Sequence, residues 1–178
     1  ASRSGGPEGR INRILRFDGF TGEQLPAPGN SGADFVVAGA GGLDGARSPV
    51  FGPDGNLYVS SVITDQVLRF DGQTGLSLGV FLNDHLDGPG AIQFRDGMVY
   101  ISNSAIHTVA RFDAITGAFI DNFVAAGAGG LAGPNDMHFG SDGHLYVMSW
   151  ENLSILRYDG ITGQFIDVFA TQGEGGLG

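Results

Sequence analysis

The chain has 178 residues, 42% hydrophobic and 16% charged, a composition that supports a folded core and is unlike that of a disordered segment. Nine Lys and Arg stand against 19 Asp and Glu, and the net charge of −10 repels nucleic-acid phosphates and anionic membrane surfaces. No Cys is present, which excludes disulfides and thiol catalysis, and no apolar run approaches the ~20 residues of a membrane helix. We expect neither a nucleic-acid partner nor a membrane span.

The first predicted element is a repeated seven-residue phrase. Arg16-Phe17-Asp18-Gly19-Phe20-Thr21-Gly22 recurs with small changes from Arg69, Arg111 and Arg157, at intervals of about 40 to 55 residues. Between these copies, an Asp-Gly turn followed by a short apolar run recurs at Asp54, Asp96 and Asp142. Repeats of this length are typical of solenoids and propellers.

Short β-branched and aromatic runs bounded by Asp-Gly predict β-hairpins, and no window keeps a 3.6-residue apolar period, so we expect little helix. Four short antiparallel strands in each unit predict an all-β propeller, as one domain or propeller segment over 1–178. It has about three full four-stranded blades, at 48–82, 90–123 and 135–169, after a partial N-terminal blade at 1–37. In chain order, the predicted strands are 13–17, 33–37, 48–52, 57–61, 66–71, 77–82, 90–94, 98–102, 106–112, 118–123, 135–139, 145–149, 154–158 and 164–169.

The two ends of the chain leave the closure of the ring open. The first residues lack both an initiator Met and an apolar signal core, which is typical of a processed or trimmed N-terminus. Residues 6–11 are similar to 52–57, so 1–12 are interpreted as an eroded half-blade that would complete a four-bladed ring. The alternatives are an excerpt of a longer propeller, or a partial ring whose open blade edges pair with another copy.

Three stretches carry a family resemblance: residues 51–59 (Phe-Gly-Pro-Asp-Gly-Asn-Leu-Tyr-Val), 67–75 (Val-Leu-Arg-Phe-Asp-Gly-Gln-Thr-Gly) and 127–134 (Gly-Ala-Gly-Gly-Leu-Ala-Gly-Pro). They resemble NHL-repeat β-propellers, particularly the exported bacterial group. The resemblance implies an extracellular or cell-surface protein that binds a protein or carbohydrate ligand on the loop face of the ring. It implies no chemistry.

A second resemblance concerns residues 134–143 (Pro-Asn-Asp-Met-His-Phe-Gly-Ser-Asp-Gly). This stretch is similar to the Asn-Asp motif of the gluconolactonase and senescence-marker propellers. The resemblance implies a divalent cation, usually Ca²⁺, with Asn135 in the position of a channel residue and Asp136 beside it as metal ligands. The motif occurs in one blade only, which favours a binding module over a hydrolase.

The loops that face the channel contain the candidate ligand-binding residues. Carboxylate and amide oxygens suit Ca²⁺, although Asn and Asp occur in loops mainly as turn formers. Trp150 is placed on the channel face, where it would stack on a sugar or peptide unless a neighbouring loop buries it. The predicted ligand-binding residues are Asn103, Asn135, Asp136, Trp150 and Glu151, and no catalytic residue is predicted.

Other repeated residues are interpreted as structural. Each Asp of the repeated phrase should hold its turn, and each Arg should bond a turn Asp or a neighbouring carbonyl. Four His residues, at 85, 107, 138 and 144, do not converge. The residues predicted to pack between blades are Phe51, Tyr58, Phe70, Phe94, Tyr100, Phe112, Phe123, Phe139, Tyr146, Tyr158 and Phe169.

Three functions follow from these patterns. The first is a non-enzymatic, exported binding or assembly module that acts through its loop face or its open blade edges. The second is a calcium-dependent lactone hydrolase of the gluconolactonase type. The third is a fibre or surface-layer subunit whose incomplete blades are completed by neighbouring chains.

Overall fold

The computed structural model describes residues 12–30 and 32–173, and the predictions for 1–11 and 174–178 lie outside these residues. The chain divides into two compact units, residues 1–82 and 83–178, and the boundary falls between two of the predicted blades. The described residues form β-strands and only short 3₁₀ turns, so the all-β class is confirmed. Within the described ranges, no helix has the length and apolar character needed to span a membrane.

The first unit contains a two-stranded ribbon and one four-stranded sheet. The ribbon pairs β1 (Ile14–Leu15) with β2 (Asp34–Val36). The first sheet has the order β3-β4-β5-β6, and every neighbouring pair is antiparallel. Its strands are β3 (Ala46–Phe51), β4 (Leu57–Ser61), β5 (Gln66–Phe70) and β6 (Ser77–Leu82).

The second unit contains two further four-stranded antiparallel sheets with the same consecutive order. All fourteen strands found in the described residues begin and end within two residues of the predicted bounds. The second sheet is β7 (Pro89–Arg95), β8 (Met98–Asn103), β9 (Thr108–Asp113) and β10 (Phe119–Val124). The third sheet is β11 (Pro134–Phe139), β12 (Leu145–Ser149), β13 (Ser154–Tyr158) and β14 (Phe165–Ala170).

The core of each unit lies between sheet faces, because alternate residues of a strand point to opposite sides. In residues 83–178, Tyr100 and Phe123 of the second sheet pack with Leu156 and Tyr158 of the third. Burial raises the pKa of the Tyr158 hydroxyl above its ordinary value. In residues 1–82, Phe35 and Val36 of the ribbon pack in the same way on Leu68 and Phe70 of the first sheet, with further residues around them.

The last Gly of the repeated phrase allows the sheets of one unit to approach each other. Gly75 and Gly163 have φ of 72° and 71°, and a Cβ at either position would lie 1.8 Å from the carbonyl oxygen of Phe35 or Phe123. Any side chain there would therefore collide with the backbone of the preceding ribbon or sheet. This requirement adds to the positive φ that the turn itself demands.

The Asp of the repeated phrase holds its own turn, as predicted. The Asp71 carboxylate accepts hydrogen bonds from the backbone N–H groups of Gln73 (3.0 Å) and Thr74 (2.7 Å) and from the Thr74 hydroxyl (2.8 Å). The hydroxyl of Thr74 and these N–H groups lower the pKa of Asp71, and Asp113 and Asp159 have the same contacts and the same direction of shift. These carboxylates are therefore structural.

Two Arg residues of the repeated phrase have a different partner from the predicted one. Arg111 forms a two-pronged ion pair with Asp121 (3.1 and 2.6 Å), and Arg157 forms the same pair with Asp167 (3.1 and 2.5 Å). These partners lie opposite the Arg on the outer strand, where strand pairing brings their side chains together. Arg16 bonds a carbonyl as expected, donating to that of Pro26 at 2.7 Å.

The predicted aromatic packing holds for most positions and is wrong for two. Phe51 is 59% exposed at the end of β3, and Phe169 is 56% exposed on β14. Phe169 is exposed because no other sheet of the described residues covers that face of the third sheet, whereas the corresponding face of the second sheet is covered by the third. Sequence periodicity identifies the face on which a residue lies and carries no information on what covers it.

Candidate functional site

Each loop between the second and third strands of a sheet is hydrogen-bonded to the link that precedes the same sheet. In the third sheet, the backbone N–H of Trp150 donates to the Gly133 carbonyl (3.3 Å) and that of Glu151 to the Ala132 carbonyl (3.2 Å). The Ser149 hydroxyl accepts from the Ala132 N–H (2.8 Å) and donates to its carbonyl (3.1 Å). Links and loops therefore lie together at one end of the sheet, as predicted.

In the second sheet, this fastening uses Asn103. Its side chain is fully buried. Its Oδ1 accepts from the Asp87 N–H (3.3 Å), and its Nδ2 donates to the His85 carbonyl (3.2 Å) and the Thr108 hydroxyl (3.3 Å). Because both ends of the amide bond the protein itself, Asn103 is not available to a ligand, and we remove it from the candidate binding residues.

Trp150 lies at the loop end of the third sheet, the end where the link and the loop meet, and its side chain is large and exposed. It lies in a 3₁₀ turn, Trp150–Asn152, and is 60% exposed. The Asn152 Nδ2 donates to the Gly130 carbonyl (2.7 Å) and its Oδ1 accepts from Ser154 (2.6 Å), so the far end of the turn is fixed as well. Glu151, between them, is exposed. The turn thus presents an indole ring and a carboxylate from a fixed backbone.

Strand pairing defines the position of Trp150 within the repeat. Ser149 is aligned with Ser61 and Asn103 of the other two sheets. Trp150 is therefore the first residue of the loop, beyond the end of the strand, and its side chain is in solvent.

Asn135 and Asp136 lie at the start of the inner strand β11, at the same end of the sheet as Trp150. Asp136 is exposed, and its carboxylate accepts from the Met137 N–H (2.9 Å). The Asn135 Oδ1 is buried and has no hydrogen-bond partner among the described residues. The backbone of Asn135 approaches the second sheet so closely that a Cβ on Gly90 would lie 3.0 Å from the Asn135 carbonyl oxygen.

The calcium site that the gluconolactonase resemblance implies needs more ligands than Asn135 and Asp136 supply by themselves. Calcium takes roughly six to eight oxygen ligands. Across residues 12–30 and 32–173, no group of three or more His, Asp or Glu side chains is gathered closely enough to hold a metal ion. Calcium binding at Asn135 and Asp136 therefore stays a prediction.

The four His residues lie in four different settings. The His138 Nδ1 lies 3.4 Å from the Gln93 amide nitrogen on the neighbouring inner strand. The His107 Nδ1 accepts the backbone N–H of Gly133 (2.8 Å), and His85 stacks on Phe119 with ring centroids 3.7 Å apart. His144 follows an Asp-Gly turn, and its Nδ1 is buried. This arrangement offers no His pair for acid–base catalysis.

No protein-family model matches the chain, and no curated protein matches it. Solved structures do match. One chain of a nidogen/laminin complex is 18% identical, with a TM-score of 0.59 over 74% of this chain and 49% of its own. The computationally designed Ika4 protein is 18% identical, with a TM-score of 0.54 over 72% of this chain and 74% of its own.

A third solved structure is a catalytically inactive virginiamycin B lyase from Staphylococcus aureus with quinupristin. It is 16% identical, with a TM-score of 0.55 over 68% of this chain and 40% of its own. The chain thus spans less than half of the nidogen-complex and lyase chains. At this identity the likenesses concern the fold alone, and they confirm the β-propeller predicted from the repeats. Because binding proteins and enzymes share this fold, function has to be argued from the site.

Proposed function

We propose that this chain is an exported, non-enzymatic β-propeller module that binds a basic segment of a partner protein at the loop end of its third sheet. The observation that carries the proposal is Trp150, a large aromatic side chain held in solvent by a turn that is bonded to the preceding link through two backbone N–H groups and the Asn152 side chain. Export is supported by the resemblance to exported NHL-repeat propellers.

A fixed aromatic anchor favours binding because little conformational freedom is lost when the ligand arrives. The Trp150 loop is bonded to its link through two backbone N–H groups and the Asn152 side chain. Tryptophan is also among the residues that dominate protein interfaces when they are truncated. The nidogen/laminin chain noted above was solved in a complex with another protein, which is consistent with protein binding by this fold.

The charge around Trp150 selects the class of partner. Glu151 and Asp136 are exposed carboxylates at the same end of the third sheet, and the whole chain has a net charge of −10. A Lys or Arg side chain over the indole face would gain a cation–π interaction together with these charges. A neutral carbohydrate would stack on the ring without using the carboxylates, so the basic peptide is favoured.

Trp150 is the single Trp of the chain, so its fluorescence reports on this loop without labelling. We would titrate the protein with a ten-residue lysine peptide and follow the emission of Trp150. We expect a saturable change that weakens with salt, and a Kd about threefold higher in each of Glu151→Gln and Asp136→Asn. Glu23→Gln, which removes an exposed carboxylate in the other unit, is the matched control and should leave the Kd unchanged.

Three further titrations separate the alternatives. Oligoglutamate should give no change in emission. A response to a neutral oligosaccharide but not to the lysine peptide would replace the proposed ligand with a carbohydrate. A change on adding CaCl₂ that EDTA reverses would support the calcium prediction at Asn135 and Asp136. If the lysine peptide leaves the emission unchanged at millimolar concentration, the proposal is wrong.

A further inference from the structure

Two exposed apolar faces lie outside the Trp150 loop, one in each unit. The Phe169 face consists of Tyr146, Ile155 and Phe169 on the third sheet, and the Phe17 face consists of Leu15 and Phe17 beside the ribbon. Phe169 is 56% exposed, Leu15 43% and Phe17 48%. We infer that two copies of this chain associate head to tail, with the Phe169 face of one copy on the Phe17 face of the other.

The Phe169 face is built like the face of the second sheet that contains Phe123, which the third sheet covers. Phe123 lies 5.1 Å from the Tyr100 ring, edge to face, with the Arg111 guanidinium 5.0 Å above it. Phe169 lies 4.8 Å from the Tyr146 ring in the same geometry, with Arg157 at 6.0 Å. Phe123 is 5% exposed because the third sheet packs on it. The Phe169 face repeats this arrangement without a neighbouring sheet.

The Phe17 face is built like the surface of the third sheet that covers Phe123. Arg16 and Arg157 begin copies of the same phrase, so Leu15 and Phe17 occupy the positions of Leu156 and Tyr158. Leu156 and Tyr158 are the residues that pack with Phe123 and Tyr100. The residues at the same two positions in all three sheets are at most 1% exposed: Leu68 and Phe70, Ala110 and Phe112, and Leu156 and Tyr158.

The glycines of the repeated phrase support the same conclusion. Gly163 and Gly22 have nearly equal φ, 71° and 72°. A Cβ on Gly163 would lie 1.8 Å from the carbonyl oxygen of Phe123, whereas a Cβ on Gly22 would have no atom within 4 Å. The ribbon therefore has the glycine that permits close approach of a sheet, and within 12–30 and 32–173 no sheet lies against that glycine.

The two faces are the two halves of one contact, and this identifies the occupant. The surface that covers Phe123 is built from an apolar residue and an aromatic residue on either side of an Arg, and the ribbon of a second copy offers that same set to Phe169. Because the two halves differ, the contact is head to tail, which generates a closed ring or an open chain according to the angle at each junction. Both products use the same two faces.

The inference is tested by sedimentation velocity on the whole chain over a wide concentration range, with one charged substitution in each face. The wild-type chain should associate. Phe169→Glu and Phe17→Glu should each weaken self-association by about tenfold or more, because each places a charge in an apolar contact. Ile161→Glu, at a residue 81% exposed in a turn of the third sheet, is the matched control and should associate like the wild type. Far-UV circular dichroism checks that each variant is folded.

Mixing the two face variants distinguishes a head-to-tail contact from a contact of one face with itself. Phe169→Glu keeps its Phe17 face, and Phe17→Glu keeps its Phe169 face. The two variants should therefore bind each other more tightly than either binds itself. A wild-type chain that stays monomeric at every concentration, a Phe17→Glu variant that associates like the wild type, or a mixture no tighter than its components would each overturn the inference. None of these results bears on the Trp150 loop, whose partner is tested separately.

Discussion

The second and third sheets are built from the same phrases and differ in what lies on one face. Both have a Tyr on the second strand, an Arg on the third and a Phe on the fourth, in matching geometry. Phe123 is buried and Phe169 is largely exposed. Since the local structure is equal, a difference in stability between the two sheets measures what packing against the next sheet contributes.

The largest difference is expected from truncating the two Phe residues. Phe123→Ala should lower the free energy of unfolding by about 3–5 kcal/mol because it leaves a cavity between two packed sheets. Phe169→Ala should lower it by less than about 1 kcal/mol in the monomer, because that ring is already mostly in water. Urea unfolding of both variants at low protein concentration measures the two values. Equal losses would show that a neighbouring sheet contributes nothing at Phe123.

Gly22 and Gly163 each end a copy of the repeated phrase and differ in what lies beside them. Gly22→Ala should lower the free energy of unfolding by about 1–2 kcal/mol, the penalty of a left-handed conformation. Gly163→Ala has the same penalty and in addition directs a methyl group at the Phe123 carbonyl, so its loss should be larger by about 1–3 kcal/mol. Thermal unfolding of the two variants checks the difference, and similar midpoints would contradict the close approach at Gly163.

A smaller effect, equal in both sheets, is expected from the Arg–Asp pairs. The side chains of Arg111 and Asp121 are 24% and 45% exposed, and those of Arg157 and Asp167 are 27% and 46% exposed. Asp121→Asn and Asp167→Asn should therefore each lower the free energy of unfolding by about 0.5–1 kcal/mol. Denaturation at low and high salt measures this loss, which salt should reduce. A clearly larger loss for Asp121→Asn would show that the covering sheet also strengthens its ion pair.

The smallest effect is a pH dependence that the two sheets should share. Backbone N–H groups of Thr116 and Thr162, together with the Thr hydroxyls, hold the pKa of Asp113 and Asp159 below the ordinary value. A carboxyl with a lowered folded pKa stabilises the fold when it is ionised. That contribution is complete above the unfolded pKa, about 4, and is lost as the pH falls through the lowered folded value.

Replacing either carboxyl should make acid unfolding less steep. Stability followed by circular dichroism between neutral and strongly acidic pH should fall less with pH in Asp113→Asn and Asp159→Asn than in the wild type. The two variants should behave alike, because both carboxyls are bonded only within their own turns. A variant whose pH profile is unchanged would show that the turn carboxyls do not contribute to acid unfolding.

The strands and turns were predictable because they depend on neighbours in the chain. Asp71, Thr74 and Gly75 form a turn through contacts that span at most four residues, and the same turn recurs wherever the phrase does. The Arg partners were harder to predict, because Asp121 lies ten residues from Arg111 and meets it only through strand pairing.

The candidate site was predictable in position and only partly in role. Links and loops do meet at one end of each sheet, and Trp150 and Glu151 are exposed there. Asn103 resembles these residues in composition and position in the chain, yet it is buried and its amide bonds the backbone. An Asn that holds a loop and an Asn that awaits a ligand have the same sequence signature, because both follow a strand and begin a turn.

The strand order, the turns and the all-β blade follow from the sequence, because they depend on residue alternation and on conformations that particular residues favour within a few positions. Packing between sheets determines that Phe123 is covered while Phe169, Leu15 and Phe17 are exposed. Repetition makes the blades chemically alike, whereas burial depends on which of them has a neighbour. The two uncovered faces could therefore be recognised only after the sheets were placed in space, whereas Trp150 was already a candidate from the sequence.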